Sequence, residues 1–173
     1  DDELISVSLT DGTNDIILST YNGLAIRFNE TDVRAMGRTT RGVRGIRLND
    51  GDRVVSAVIL SPSDTLLMVT ENGYGKKTEP DEYRAQSRGG KGIFTYKITE
   101  KTGKLAGMVG VGENTDLMLI TSEGVVIRMN TEEISTYGRQ TQGVRLMKLD
   151  EGVKVVGIAV TDHEEEEEAP DSE

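Results

Sequence analysis

The sequence predicts an all-β fold made of repeated four-stranded units. Apolar and polar residues alternate with a period of two, as in half-buried strands, and Asn-Gly or Glu-Gly pairs follow the apolar runs where hairpin turns are expected. Segments 15–48, 65–98 and 116–149 align without a gap, at offsets of 50 and 51 residues. Such a repeat, with 20 glycines and no tryptophan in 173 residues, favours short strands and tight turns over a helical bundle.

Each copy of the repeat is predicted to contain four strands. The first strands are the apolar runs Ile16–Thr20, Leu66–Thr70 and Leu117–Thr121. A two-residue hairpin turn, Asn22-Gly23 in the first copy, leads into the second strand. In the second copy Lys76 and Thr78 replace apolar residues of that strand, so we expect it to be less buried or frayed. The third strands are expected at Ile46–Leu48, Tyr96–Ile98 and Met147–Leu149, and the fourth at Val54–Leu60, Leu105–Val111 and Val155–Val160.

Four-stranded units of about 50 residues are typical of propeller-like blades. Three blades cannot close a ring that takes roughly four to eight, so we predict a fragment of about three four-stranded blades that forms an open arc. The expected segments are residues 1–14 (the last strand of a preceding blade, Leu4–Leu9, and a linker), 15–63, 64–115 and 116–161 (one blade each), and 162–173 (a disordered acidic tail). Because the chain starts inside a unit and without Met, we expect it to be a cut fragment.

The basic residues are concentrated in one element of each copy. The net charge is −10, but residues 162–173 carry eight acids and no Lys or Arg, so the remaining chain is nearly balanced. Residues 34–47, 84–97 and 135–148 hold 12 of the 20 Lys and Arg residues and no acid. We therefore expect a basic stripe along one side of the arc. Such a stripe suits backbone phosphates, and its few aromatic residues favour duplex over single-stranded nucleic acid.

The sequence argues against several other chemistries. The absence of cysteine excludes disulfides and thiolate metal sites and fits a cytoplasmic location. No apolar run approaches the roughly 20 residues of a membrane span, so no membrane partner is expected. A nucleotide-binding P-loop is excluded, because Ala85 stands where its first glycine is required and Gly92 follows Lys91. His163 is expected to be solvated, and we expect no catalytic residue, metal site or cofactor in this chain.

The segment Gln86–Gly92, here called the box segment, resembles a known motif. It matches six of the seven positions of the Gln-Arg-Arg-Gly-Gly-Lys-Gly box of the DNA gyrase A subunit, with Ser87 in place of an Arg. Segments Val33–Arg38 and Gly42–Ile46 resemble later blades of the C-terminal domain of that protein, and the resemblance covers about residues 1–161. In the family the intact box lies in the first blade, whereas here it lies in the next-to-last, so we expect it to be an auxiliary phosphate contact.

The resemblance implies a β-pinwheel that wraps duplex DNA and supports negative supercoiling by its parent, an ATP-dependent type IIA topoisomerase (an isomerase). The implied partners are double-stranded DNA, the remaining blades, the gyrase B subunit, and the breakage-rejoining domain, at the bacterial nucleoid. The alternatives are a protein-interaction propeller and the C-terminal domain of the topoisomerase IV A subunit. The predicted DNA-binding residues are Arg34, Arg38, Arg41, Arg44, Arg47, Arg84, Gln86, Arg88, Gly89, Gly90, Lys91, Gly92, Lys97, Arg139, Arg145 and Lys148.

Overall fold

The structure, a computed structural model, describes residues 2–163, and this part of the chain forms three antiparallel sheets. Its strands are β1 (Asp15–Thr20), β2 (Leu24–Asn29), β3 (Val54–Ile59), β4 (Thr65–Thr70), β5 (Tyr74–Thr78), β6 (Ile93–Phe94), β7 (Leu105–Val111), β8 (Thr115–Thr121), β9 (Val126–Asn130), β10 (Val144–Arg145) and β11 (Val155–Asp162). The strand orders are β3-β1-β2-β6, β10-β5-β4-β7 and β11-β8-β9. Single turns of 3-10 helix at Glu30–Asp32, Pro80–Glu82 and Thr131–Glu133 follow the second strand of each copy.

The predicted all-β arc of propeller-like blades is confirmed. The three sheets follow one another, with β7 of the middle sheet packed against both β3 and β11. The first and fourth strands of each copy lie within two residues of their expected positions. The first two sheets have four strands, whereas the last has three among the described residues.

The third strands of the second and third copies were predicted in the wrong place and in the wrong sheet. β6, which belongs to the second copy, pairs with β2 of the first copy, with Phe94 opposite Leu24. In the same way β10 of the third copy pairs with β5 of the second. These strands begin three residues before the expected Tyr96–Ile98 and Met147–Leu149. The hairpins β1–β2 and β4–β5 each have an outer strand with unpaired backbone groups. The third strand of the following copy forms hydrogen bonds with these groups.

The first copy lacks this pairing. Ile46–Leu48 was expected to be a strand, but neither it nor Val43-Arg44, the counterpart of β6, forms one in the structure. Leu4–Leu9, expected to be the last strand of a preceding blade, also forms none, and its apolar side chains are exposed. Residues 43–48 and Leu4–Leu9 lack a neighbouring sheet edge among the described residues, so their backbone groups have no strand to pair with.

The hairpin turns differ from the expected two-residue form. Three residues, Tyr21 to Gly23, connect β1 to β2, and the amide of Gly23 donates to the carbonyl of Thr20 at 2.9 Å. Gly23 has φ +81°, a left-handed conformation that favours glycine. The extra left-handed residue makes this a three-residue hairpin loop. The carbonyl of Gly23 accepts from the amides of Thr95 and Tyr96, so the turn also receives the following copy.

The core lies between the sheets rather than within each one. The middle strand β4 is buried on both faces, because one face packs on the first sheet and the other on the last. Leu66 and Met68 face the first sheet, together with Tyr83 and Tyr96. Leu67 and Val69 face the last sheet. This position explains the nearly continuous apolar sequence of β4.

The last strand extends one residue beyond the expected carboxyl-terminal boundary. Asp162 ends β11 and pairs with Thr115, so it does not belong to an acidic tail. His163 is not simply solvated, since its amide donates to the carbonyl of Asn114 and its Nδ1 lies 2.8 Å from Asp116 Oδ1. Residues 164–173, the rest of the expected tail, lie outside the described residues. Within residues 2–163 no helix is long and apolar enough to cross a membrane.

The turn glycines offer a matched test of the packing between copies. A Cβ on Gly23 would lie 2.8 Å from the carbonyl oxygen of Tyr96, whereas a Cβ on Gly124 would meet nothing within 4 Å. Both residues have φ +81°, so both alanine variants carry the same backbone strain of about 1–2 kcal/mol. We expect Gly23→Ala to lose roughly 1–3 kcal/mol more free energy of unfolding than Gly124→Ala, measured by urea denaturation. Equal losses would contradict the packing.

Candidate nucleic-acid interface

The three basic windows form three neighbouring loops, here called loop 1 (residues 34–47), loop 2 (84–97) and loop 3 (135–148). Loops 1 and 2 are joined by backbone hydrogen bonds, from the amide of Arg47 to the carbonyl of Gly90 at 2.8 Å and from Gly89 to Gly45 at 2.5 Å. Loops 2 and 3 are joined by the amide of Lys97 and the carbonyl of Thr141 at 3.0 Å. Arg47 and Lys97 occupy the same repeat position, as do Gly90 and Thr141. The loops therefore lie side by side in chain order, as one ribbon.

Most of the predicted DNA-binding cations extend from this ribbon into solvent. Within residues 2–163 ten of them are exposed and make no side-chain hydrogen bond or ion pair: Arg34, Arg38, Arg41, Arg44, Arg47, Arg84, Lys91, Lys97, Arg145 and Lys148. No acid lies within the three loops. Exposed cations without protein partners are available to neutralise phosphates at little desolvation cost.

Arg88 and Arg139 make a different contact. The Arg88 guanidinium donates to two carbonyls of the preceding copy, those of Asp32 at 2.9 Å and Arg44 at 3.1 Å. Arg139 donates to the carbonyl of Phe94 at 2.7 Å, at the position equivalent to Arg44. Both arginines are half-buried and tie each loop to the one before it.

Arg139 also contacts a carboxylate, that of Glu82. Its amide donates to Glu82 Oε2 at 2.8 Å, and its Nε lies 3.9 Å from the same oxygen. Glu82 is the repeat counterpart of Asp32. Arg38, the counterpart of Arg88 and Arg139 in loop 1, is exposed and makes no such contact with the described residues. Sequence equivalence therefore did not reveal that two of these three arginines also hold neighbouring loops together.

The glycines of the box segment bring the backbone of loop 2 close to the first sheet. Gly92 has φ +76°, and a Cβ there would lie 2.6 Å from the carbonyl oxygen of Ala25. Gly89 has φ +81°, and the amide of Gln86 donates to the carbonyl of Arg27 at 2.9 Å. The Nε2 atom of Gln86 is buried and has no hydrogen-bond partner among the described residues. In this structure the box residues Gln86, Arg88–Gly90 and Gly92 therefore contact the preceding copy.

The expectation that the second strand of the second copy, β5, is less buried or frayed was wrong. Lys76 and Thr78 are both fully buried. Lys76 Nζ donates to the carbonyls of Gly138 and Arg139, each at 2.7 Å, and to Thr141 Oγ1 at 3.1 Å. Three acceptors offset the cost of burying an ammonium, so a lysine can replace an apolar residue here.

The partner of Lys76 is loop 3, which it holds against the middle sheet. The equivalent residue of the first copy, Ile26, packs its Cδ1 against Gly90 of loop 2 instead. The Lys76 ammonium also lies 5.0 Å from the centre of the Tyr96 ring. Burial lowers the pKa of Lys76 from 10.5 to about 8, with Glu82 raising it and Arg139 lowering it further.

Tyr83 and Tyr96, both buried, are poor candidates for a nucleophile. Burial raises the pKa of Tyr83 to about 12 and also raises the pKa of Tyr96, so neither is prepared to act as a nucleophile. No group of three or more His, Asp or Glu residues suited to a metal ion occurs in residues 2–163. Five acids line a cleft of about 450 Å³ that shares no residue with the basic loops: Asp11, Asp15, Asp64, Glu79 and Asp81.

A family model described as "DNA gyrase C-terminal domain, beta-propeller" matches residues 14–61, 64–111 and 115–162, one stretch for each copy of the repeat. The chain belongs to this family. The resemblance inferred from the box segment is thus confirmed.

The chain is similar to the A subunit of DNA gyrase from several bacteria. It is 47% identical over 168 residues to the protein of Staphylococcus epidermidis, covering 96% of this chain and 19% of the relative. It is 48% identical over 165 residues to the protein of Lawsonia intracellularis, covering 94% of this chain and 20% of the relative. The chain therefore spans about a fifth of the length of these relatives, in which the matching region is part of a larger polypeptide.

Solved structures give the same fold. The C-terminal domain of DNA topoisomerase IV superposes with a TM-score of 0.85 at 25% identity, covering 91% of this chain and 49% of that one. The DNA gyrase A C-terminal domain superposes with a TM-score of 0.79 at 29% identity, covering 84% of this chain and 50% of that one. The chain thus spans about half of each solved domain.

Lys76 predicts a pH dependence of stability. Its pKa is lower in the folded chain, so between about pH 8 and 10.5 the unfolded chain binds more protons, and stability rises with pH. Relative to Lys76→Met, we expect the free energy of unfolding of the parent to increase across this window, by at most about 1.4 kcal/mol per pH unit. Urea denaturation between pH 7 and 10 measures it. The raised tyrosine pKa values act in the opposite direction, but only above about pH 10. A flat or falling difference would contradict the burial of the ammonium.

The tie between loops is tested by two charge-conserving substitutions. Lysine keeps the charge at position 88 but lacks the planar fork in which two different nitrogens, Nε and Nη1, each donate to one carbonyl. We expect Arg88→Lys to lose about 1–2 kcal/mol of folding free energy. Arg38→Lys, at the equivalent exposed position, should change it by no more than about 0.5 kcal/mol. Denaturant titration of both variants measures the difference, and similar stabilities would mean that the Arg88 contacts contribute nothing.

Proposed function

We propose that this chain binds duplex DNA along the ribbon of loops 1 to 3, without reading its sequence, and holds it in a bend. The observation that carries the proposal is that three acid-free basic loops are hydrogen-bonded to one another in blade order. Ten exposed cations along a connected surface suit the regularly spaced phosphates of a duplex. Phosphate contacts fix the position of the duplex but carry no sequence information.

The arrangement of the loops favours a bent path. Each loop belongs to a different repeat, and successive repeats pack side by side in an arc. A duplex that contacts all three loops must follow that arc, and smooth bending of 20–30 base pairs costs on the order of 1–6 kcal/mol. The phosphate contacts must supply this energy, which requires the loops to keep a fixed arrangement.

Within a whole gyrase protein, this region would act as the DNA-wrapping part. Its parent would be an ATP-dependent type IIA topoisomerase in the cytoplasm, working with the gyrase B subunit, the breakage-rejoining domain and the remaining blades. The family match and the gyrase A relatives at 47–48% identity support gyrase as the parent. The chain itself would contribute binding and bending, and no bond-making step.

The proposal is tested by the salt dependence of DNA binding. Each exposed loop cation that contacts a phosphate should make the slope of log K against log salt shallower by roughly 0.9 when it is removed. We expect this for Arg41→Ala, Lys91→Ala and Arg145→Ala, one from each loop, and a combined decrease for the triple variant. Affinity should fall similarly on unrelated duplexes.

Lys77→Ala is the matched control, because Lys77 lies outside the loops and lines a small cleft with Glu113 and Glu132. Its slope should equal that of the parent. If the triple variant keeps the parental slope, DNA does not contact the ribbon. Binding that is insensitive to salt would indicate a protein-interaction propeller instead.

A further inference from the structure

The strand beneath loop 3 carries a buried cation at a position where the strand beneath loop 2 carries an apolar residue. In β2, beneath loop 2, that residue is Ile26, which packs on Gly90. In β5, beneath loop 3, it is Lys76, which is fully buried. The Lys76 ammonium donates to two carbonyls and one hydroxyl of residues 138–141. The attachment of loop 3 to its sheet therefore includes a buried charge.

The acceptors of Lys76 lie where loop 3 meets loop 2. The carbonyl of Thr141 accepts from the amide of Lys97 at 3.0 Å, which is the backbone contact between these loops. The hydroxyl of Thr141 accepts from Lys76 Nζ at 3.1 Å and donates to the carbonyl of Gly138 at 2.8 Å. The turn that Lys76 binds is therefore the same turn that sets loop 3 against loop 2.

The strand pairing that places Arg145 is short. β10 has two residues, with Val144 opposite Gly75 and Arg145 opposite Tyr74. Lys76 follows Gly75 directly on β5, so its hydrogen bonds extend the attachment of loop 3 beyond the end of the ladder. Hydrogen bonds from an ammonium are roughly twice as strong as neutral ones. The ammonium therefore supplies a large share of what fixes this loop.

We propose that Lys76 is the positioning residue of loop 3 for DNA: its buried ammonium holds this loop in the arrangement in which Arg145 and Lys148 meet phosphates. The inference rests on the proposed DNA binding and assigns a role in it to a side chain that is buried and cannot itself contact DNA. Binding loses less free energy when the contacting groups are already ordered, so a fixed loop 3 raises affinity. Loops 1 and 2 accept no hydrogen bond from this ammonium.

The same geometry gives the role a pH dependence. A neutral amine has two hydrogens for three acceptors and lacks the charge that strengthens the bonds. The charged and titratable groups that face the ammonium are Glu82, Arg139 and Tyr96. Carboxyl, guanidinium and phenol groups titrate outside pH 7–9, whereas burial lowers the pKa of Lys76 to about 8. Bound phosphates favour the ammonium, so the bound chain holds more protons and affinity falls as pH rises through this range.

The test is a cycle of substitutions, read as the slope of log K against log salt for a duplex of about 30 base pairs. Lys76→Met should bind about tenfold more weakly, with a slope shallower by roughly 0.9 to 1.8, because loop 3 loses one or two phosphate contacts. Arg145→Ala should make the parental slope shallower by roughly 0.9, but should change the slope of Lys76→Met by less than about 0.3. Arg41→Ala, in loop 1, should have its full effect in both backgrounds.

The second measurement is the ratio of parental to Lys76→Met affinity at constant salt. This ratio should fall about three- to tenfold between pH 7 and 9. Other groups that titrate in this range are present in both chains, so the ratio reports on Lys76. A chain that is only destabilised by the substitution would show neither this pH profile nor a changed salt slope of its folded fraction.

Two further variants act as controls. Lys77→Met removes the adjacent lysine, which is half-buried and lies outside the loops, and should keep the parental slope and pH profile. Thr141→Val withdraws one acceptor and should shift the slope in the same direction as Lys76→Met but less, which keeps the inference testable if Lys76→Met folds poorly.

Two results would overturn the inference: a full effect of Arg145→Ala in the Lys76→Met background, or an affinity ratio that is flat with pH. If Lys76→Met does not fold, a parental slope in Thr141→Val would overturn it as well. A parent chain that fails to bind duplex DNA would instead overturn the proposed function.

Discussion

The open outer edge of each blade is the constraint on which this structure depends. A two-stranded hairpin such as β1–β2 leaves one row of backbone donors and acceptors unpaired, and unpaired buried groups are costly. The following copy satisfies that edge twice, first by a bridge between Ala85 and Arg27 and then by β6. The chain between these two contacts must leave the sheet and return to it. That excursion is loop 2, and loop 3 has the same origin on β5. The basic loops are thus a consequence of how blades are completed.

Because loops 2 and 3 are each held at both ends by the preceding sheet, their cations inherit the geometry of the blades. The contacts of Arg88 and Arg139 with the previous loop repeat at equivalent positions, and the Lys76 ammonium fastens loop 3 further. Some of the positive charge is therefore used inside the protein to order the loops, while the exposed cations remain available to a partner. A flexible loop would lose conformational entropy on meeting DNA, whereas these loops are already ordered. The contacts that order these loops would therefore also favour the proposed binding of a bent polyanion.

How far the sequence predicts this arrangement depends on whether a feature is local or lies between copies. The β4 run, the turn glycines and the acid-free windows were all predictable, because alternation, turn chemistry and charge are read within one copy. The partner of β6 was not, since a strand pairs equally well with its own or a neighbouring copy as far as periodicity is concerned. The burial of Lys76 was not predicted for the same reason. A lysine in a strand normally indicates an exposed position, and its three acceptors come from residues 138–141, more than 60 positions later. The contacts of Arg88 with the preceding copy were not predicted because equivalent arginines were expected to have equivalent surroundings.

A net charge of −10 does not prevent this chain from meeting a polyanion, because charges act locally in salt. At physiological ionic strength the Debye length is about 8 Å, so a phosphate at the ribbon responds to the cations beside it more than to distant acids. The three loops contain no acid, and five acids lie around the cleft between the first two sheets, whereas Glu82 contacts Arg139 of loop 3. Moving a cation from a loop to another surface would leave the net charge unchanged and yet weaken the field along the ribbon. The arrangement of charge therefore decides the partner, and blade completion decides that arrangement.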